Sequence, residues 1–449
     1  MRAVMAVPPW SLTARSVSSP WGPIFRLRRA EYVGGSKMLR RSDDTPIAGE
    51  HNGSMPEINV PAGDPAAASA DGGDVPSGPP VRVLIAGGGI AALEALTALR
   101  ALAGPRVKPT LVAPGHEFVY RPVAIDEPYA VGRSRRIQLD RAASEAGAGF
   151  LIGMVESVDT DAKRMRTSED ESLDYDALVL AMGAQTVPSV AGALTWDDRA
   201  DSDILGGLMQ DLEQGYASRV VVVIPPGPVW PLRGYELALF ITLEAQGMSV
   251  DMETTIVTPE DSPLALLTPS ARELITTELE RAGIAVVPAA RVRVEPGHPH
   301  TVVLEPSGRV FEADRVVALP ALRGQPIAGI PAQADGFIEV DEHCRVRGVD
   351  GVWAVGDSTA FPLKAGGFAA EQADVAAEDI AAIAGAAVEP HAFDPADRDE
   401  LAGLPAGRFF ESWLAESDDP TLTTHLPVGT LPPLTFLHRD LEASWRGEI

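Results

Sequence analysis

The segment Ala86-Gly-Gly-Gly-Ile-Ala-Ala92 carries the pattern Gly87-x-Gly89-x-x-Ala92 between a short apolar strand and the start of a helix. Each small residue there has a physical reason. Gly87 permits a tight turn, Gly89 lets the backbone approach a pyrophosphate, and Ala92 keeps the helix close to the strand. Ile90 and Ala91 open the helix, whose free N–H groups face the phosphate charge. Alone, such a turn is a weak signal, because glycine-rich turns also occur without any ligand.

Companion segments strengthen it. Tyr175-Asp-Ala-Leu-Val-Leu-Ala-Met-Gly183 is a strand that runs through Ala181 into a glycine turn. Gly351-Val-Trp-Ala-Val-Gly-Asp357 is another, ending in Gly356-Asp357. At a strand end, Asp357 is able to accept a hydrogen bond from a ribitol hydroxyl, although a lone Gly-Asp is only a turn. Phe361-Pro-Leu-Lys-Ala-Gly-Gly-Phe-Ala-Ala-Glu-Gln372 is a loop feeding a helix. A helix start under a flavin pyrimidine would offset the negative charge that reduction builds.

Other residues have two readings each. Arg121, beside Pro122, is either a phosphate contact or a surface arginine. Trp230, Arg233 and Tyr235 either line a substrate pocket or pack at the start of a helix. Glu371 and Gln372 either lie near the ligand or are solvated helix residues. The run Glu169-Asp-Glu171 reads as a hairpin turn. The single cysteine, Cys344, excludes an internal disulfide and an internal dithiol pair, and reads as a packed thiol beside His343. The histidines show no metal-ligand spacing, so no metal site is expected.

Strands and helices must hold these residues in place. Strands are expected at Val81–Ala86, Thr110–Ala113, Phe150–Val158, Ala177–Ala181, Arg219–Ile224, Thr255–Val257, Ile284–Val287, Val316–Leu319 and Val352–Val355. Helices are expected at Ile90–Leu102, Leu232–Ala245, Ser270–Ala282 and Gly367–Ala384. Strands alternating with helices predict parallel sheets covered on both faces. Residues 1–80 read as a disordered leader. Its first 41 residues hold eight basic groups and one acid, Glu31, which suits a basic targeting arm. A true start at Met38 or Met55 is the alternative. The net charge of −26 repels nucleic acid and anionic lipid. No apolar run is long enough to span a membrane, so membrane contact would be peripheral and the location is expected to be cytoplasmic.

Together these segments resemble the FAD-dependent pyridine nucleotide-disulfide oxidoreductase superfamily, in particular its sulfide:quinone oxidoreductase and type II NADH dehydrogenase branch. The likeness covers roughly residues 81–388. It implies FAD as cofactor, with Gly87, Gly89 and Ala92 at the pyrophosphate and the backbone from Gly153 to Val155 near the adenine. It likewise implies Gly183 at a flavin-domain turn, Asp357 at the ribitol and Lys364 near the flavin.

Two departures matter. The acidic residue that usually ends the second strand is Ala113 here. The second glycine-rich turn is replaced by Pro225-Pro-Gly-Pro-Val-Trp-Pro-Leu-Arg-Gly-Tyr-Glu236. Prolines lack the N–H groups that cradle a phosphate, so NAD(P)H is not expected to bind in the usual way, although Gly227 and Gly234 remain. Chemistry that relays sulfur between two cysteines cannot run on one thiol.

The expectation is an α/β chain with two Rossmann-like, three-layer dinucleotide-binding domains. The FAD domain is discontinuous, 81–190 and 340–388. A degenerate second domain spans 191–339, and 389–449 forms a C-terminal interface segment, for a homodimer or for covering the flavin domain. The expected function is electron transfer through the flavin between small-molecule or protein partners, to a quinone-like or protein acceptor. An NAD(P)H dehydrogenase with an atypical site, or a flavin-binding regulatory protein with little turnover, are the alternatives.

Overall fold

The computed structural model describes residues 78–120, 135–197, 202–267 and 269–393. The expectations for the leader up to residue 77, for Arg121 and for the segment after residue 393 lie outside the described residues.

Two five-stranded sheets, each parallel throughout, form the fold. The first runs Val352–Ala354, Ala177–Leu180, Val81–Ala86, Val107–Ala113, Gly149–Ile152. It is discontinuous in sequence, because its edge strand Val352–Ala354 arrives long after the others. The second runs Leu194–Thr195, Arg315–Ala318, Arg219–Val223, Glu253–Val257, Ala285–Val287. Both therefore place the first strand of a strand-helix-strand unit between the second and a strand that returns later. That reversal opens a crevice beyond the carboxyl ends of the strands.

Alternation along the strands sets the layers. Val83, Ile85, Leu111 and Val179 face the helices Ile90–Ala103 and Gly366–Ile383. Leu84, Ala86, Val112, Leu178 and Leu180 face Val158 and Met165 of an antiparallel sheet, Val155–Asp159, Arg164–Thr167, Ser172–Asp174. The second sheet repeats the plan. Val220, Val222 and Ile256 pack on helices, whereas Val221, Val223 and Val257 pack on Val294, Val302 and Leu304 of a second antiparallel sheet. One face of each parallel sheet is thus covered by strands rather than by helices.

Three local expectations change. The strand expected from Phe150 to Val158 breaks into Gly149–Ile152 and Val155–Asp159, because Gly153 donates its N–H to the Ala113 carbonyl at 2.9 Å and turns the chain out of the sheet. A short helix, Leu139–Glu145, occupies part of the region with no regular pattern. Helix Ser202–Glu213 has Leu205, Leu208 and Leu212 on a buried face, but Gly206 and Gly207 at its centre mask the helical signal. Glu169–Glu171 is a turn, as read, with Asp170 at φ 59°.

At their amino ends both sheets use the same fastening. Asp176, just before its strand, accepts from the Arg82 backbone N at 2.8 Å and from Nη2 at 2.9 Å, and its own N–H donates to the Arg82 carbonyl at 2.9 Å. Asp314 does the same to Arg219, at 2.9, 2.9 and 2.8 Å. Ser218 N adds a further bond to Asp314 at 2.9 Å. These contacts hold the Asp314 carboxyl well below the usual carboxylate range, the Arg219 side chain having the largest effect. Exposed ion pairs contribute little, but a bidentate pair tied into the ladder contributes more. Asp314→Ala is expected to cost about 1–3 kcal/mol, measured by denaturant unfolding at neutral pH. The wild-type contribution is full above the unfolded carboxylate range near pH 4 and is lost as pH falls further. The variant should lack that part of the acid limb of its stability curve; an unchanged limb would contradict the assignment.

Candidate active site

Gly87 sits at φ +137°, and a Cβ there would lie 2.1 Å from the Ala181 carbonyl oxygen. Only glycine allows the first and fourth strands to part this closely. Ala181 N donates to the Ala86 carbonyl at 2.7 Å, and Gly87 N donates to the Val112 carbonyl at 2.8 Å. The turn is therefore clamped to strands on both sides. Gly89 differs: a Cβ on it would meet nothing within 4 Å, so its face looks onto open space. Gly89 is the N-cap of helix Ile90–Ala103, and no side chain caps its first amides. An uncapped helix start facing open space suits a pyrophosphate.

A second helix start comes to the same place. Helix Gly366–Ile383 begins after Ala365, again without a side-chain cap. A Cβ on Gly366 would lie 2.9 Å from Ile90 Cδ1, and one on Gly356 would lie 3.1 Å from Ala91 Cβ and 3.2 Å from Ala369 Cβ. Ala91 and Ala92 are buried in this seam. Gly87, Gly89, Ile90, Ala91, Ala92, Ala181, Gly356 and the Gly366 helix start thus converge. Gly183, at φ +70°, follows the same strand end, and Gln325 Nε2 donates to the Met182 carbonyl at 3.3 Å beside it. Val155 starts the antiparallel sheet two residues after Gly153, whose N–H is held by the Ala113 carbonyl at the second strand's end, and its neighbour Met154 is 58% exposed. Ala113 is buried, and a Cβ on Gly88 would touch it at 3.1 Å, so no carboxylate stands at that strand end.

The turn Gly356–Ser358 that carries Asp357 is held from all sides. Gln372 Oε1 accepts from Gly356 N at 2.8 Å, Thr359 Oγ1 donates to the Gly356 carbonyl at 2.9 Å, and Ser358 Oγ donates to the Val355 carbonyl at 2.8 Å. Gln372 and Glu371 are buried, not solvated. Sequence alone did not single out Thr359 or Ser358; their hydroxyls one and two residues past a strand-end Gly-Asp are the available signal. Lys364 is buried, donates from Nζ to the Thr359 carbonyl at 2.5 Å and lies over the Phe337 ring at 4.3 Å from its centroid. Burial pushes its ammonium down to about 8, against the pull of Asp357 and Asp335.

Across the crevice, Pro231 precedes helix Leu232–Gly247. Trp230 is 5% exposed and meets Phe368 edge-on at 6.3 Å, while Tyr235 is fully buried. Both are core residues of the second sheet's helical layer. Arg233 is half-buried. Burial lowers its guanidinium, and the nearby charges of Glu236, Asp357 and Asp197 pull it back up. Of the three pocket candidates, Arg233 is the one whose charge interacts with Asp357. Cys344 is fully buried at φ 62°, and burial among Asp341, Glu371 and Asp379 pushes its thiol well above the usual range. Among the described residues no cluster of His, Cys, Asp and Glu suits a metal ion, and no helix is long and apolar enough to cross a membrane.

Lys364 has a pH signature. In the fold its amine is neutral above about 8. The unfolded chain keeps it charged to roughly 10.4. Between those limits the unfolded state binds more protons, so stability gains a rising contribution as pH increases. Chemical denaturation from pH 7 to 10 should show this rise relative to Lys364→Met, and parallel curves for the two proteins would refute the burial.

The family model described as pyridine nucleotide-disulphide oxidoreductase matches residues 81–379. An NADH dehydrogenase-like protein of Mycobacterium tuberculosis is 29% identical over 241 residues, 50% of this chain and 58% of that protein. The chloroplastic monodehydroascorbate reductase 5 of Oryza sativa subsp. japonica is 29% identical over 226 residues, 47% of this chain and 42% of that protein. The chain thus spans about half the length of these curated relatives. The solved sulfide:quinone oxidoreductase of Aquifex aeolicus superposes with a TM-score of 0.60 at 20% identity, covering 67% of this chain and 76% of that one. The match over residues 81–379, with the convergent glycine turns, makes the chain a member of the pyridine nucleotide-disulphide oxidoreductase family.

Proposed function

We propose that this protein passes electrons through FAD without a redox disulfide, from a donor other than a pyridine nucleotide to a quinone-like or protein acceptor. The observation that carries the reading is Cys344. The only thiol in the chain is fully buried and held protonated by its surroundings, so it can neither pair nor attack. The same proposal takes 81–190 with 340–388 as the FAD-binding unit and 191–339 as the second unit. It includes a cytoplasmic location, which a single unpaired thiol suits.

FAD, when bound, supplies the hydride and single-electron chemistry. The chain's own groups bind and orient it. The Gly87–Gly89 turn and the Ile90 helix start would take the pyrophosphate, and the Gly153–Val155 backbone would face the adenine. Asp357 would accept from the ribitol, and Gln372 and Thr359 hold its turn still. Lys364, with its lowered amine, is suited to hold or release a proton at Nζ near neutral pH. Arg233 brings a positive charge from the second unit to the same crevice, where it would orient an electron-rich acceptor.

A second reading, an NAD(P)H dehydrogenase, is favoured by the NADH dehydrogenase-like relative and by Gly227, at φ +105° with open space about it. The purified protein is expected to show flavin absorbance that persists on anaerobic addition of NADH, NADPH or sulfide. Bleaching by either nucleotide would establish the second reading, bleaching by sulfide would identify the donor, and a colourless protein that takes up no FAD would refute both readings.

A further inference from the structure

Residues 361–368 join the Gly356–Ser358 turn to the first residues of helix Gly366–Ile383, between elements of the first sheet's layer. Their apolar side chains pack elsewhere. Phe368 is buried in the core of the second sheet's helical layer, and Phe361, Leu363 and Ala365 lie against that same core. The next residues, Ala369 and Ala370, return to the core of the first sheet. The helix start is therefore the seam between the two cores.

Trp230 meets this seam from the second sheet. It is 5% exposed and lies edge-on to Phe368 at 6.3 Å, and Phe368 in turn meets Phe361 at 5.1 Å. Phe361 also packs edge-on against Phe393 at 5.1 Å, and Phe393 N donates to the Glu342 carbonyl at 2.7 Å. Four of the seven residues from 225 to 231 are proline. Fixed φ angles leave the loop that carries Trp230 little freedom to lose on folding. From the aromatic cluster the contacts run back to the turn. Phe361 N donates to Thr359 Oγ1 at 3.4 Å, and Thr359 Oγ1 donates to the Gly356 carbonyl at 2.9 Å.

We infer that Trp230 is a positioning residue for the flavin site: through Phe368 and Phe361 it holds the Asp357 turn and the Gly366 helix start in place. The proline-rich loop thereby works as a stiff dock for the late helix of the first sheet. An aromatic pair contributes beyond the area it buries, so losing this one loosens turn and helix start together. The inference rests on the reading that FAD lies against these two elements.

The test follows FAD leaving the loaded protein, by the fluorescence of the released flavin, well below every melting temperature. Trp230→Ala is compared with Trp230→Phe and with Leu279→Ala. Leu279 is buried in the same core, on helix Pro269–Ala282. Both alanine variants should melt roughly 5–10 °C lower than wild type. Only Trp230→Ala should release FAD faster, by about tenfold, with Trp230→Phe within about threefold of wild type. The double variant Trp230→Ala/Phe368→Ala should release FAD no faster than Phe368→Ala alone. Release from Trp230→Ala no faster than from Leu279→Ala overturns the inference and leaves the FAD reading intact. Additive acceleration in the double variant overturns the route through Phe368. A wild-type chain that takes up no FAD overturns the cofactor reading and this inference together.

Discussion

An arginine–aspartate clamp, used twice, fixes the geometry on which the molecule depends. Each parallel sheet has to seat a late-returning strand directly beside its first strand. Arg82 with Asp176, and Arg219 with Asp314, close that junction at the amino end through both backbone and side chain. The crevice opens at the opposite, carboxyl end, where the strand order reverses. At that end of the first sheet Gly87 admits the Ala181 carbonyl, and beyond it the backbone is free to meet a ligand.

The second feature is the economy of side chain where two helices meet. A Cβ on Gly356 would press on Ala91 and Ala369, and one on Gly366 would press on Ile90, so the two uncapped helix starts come together only because both positions are glycine. Their partial positive charges suit an anionic ligand. Deeper in the same layer, Asp379 binds Arg345 through two oxygens at 2.5 and 2.6 Å and accepts from Trp353 Nε1 at 2.9 Å. The late strand is thereby tied to the late helix as well as to the sheet.

Much of this was legible in the residues. Gly87, Gly89, Gly183 and Asp357 announce themselves because their backbone or strand-end roles are local. The clamp was not legible, since Arg82 and Asp176 are 94 positions apart and each alone resembles a surface charge. Gln372 and Glu371 read equally well as solvated, because a helix with three charged or amide side chains in four positions gives no hint of which face is covered. Trp230 and Tyr235 suited either a pocket or packing at a helix start by type, and both lie in the core. The hydrogen bond from Tyr235 Oη to Glu260, 2.7 Å across 25 positions, was equally hidden, because the burial of Tyr235 is a tertiary fact. Replacement of one face's helices by antiparallel strands was likewise invisible, as the same alternating pattern satisfies either cover.

The position of Val352–Ala354 at the edge of the first sheet has a consequence for biosynthesis. When ribosomes have delivered the first four strands of that sheet, its fifth strand, the Gly356–Asp357 turn and the Gly366 helix have not yet been made. The second sheet, continuous from Leu194 to Ala318, emerges in between and can close on its own. At about 5–20 residues per second the delay is on the order of ten seconds. For that interval the apolar faces of Val179 and Leu99 lack their final cover, so chaperone dependence of the nascent chain should be concentrated there, and the cofactor site can be completed only after translation has passed the late helix.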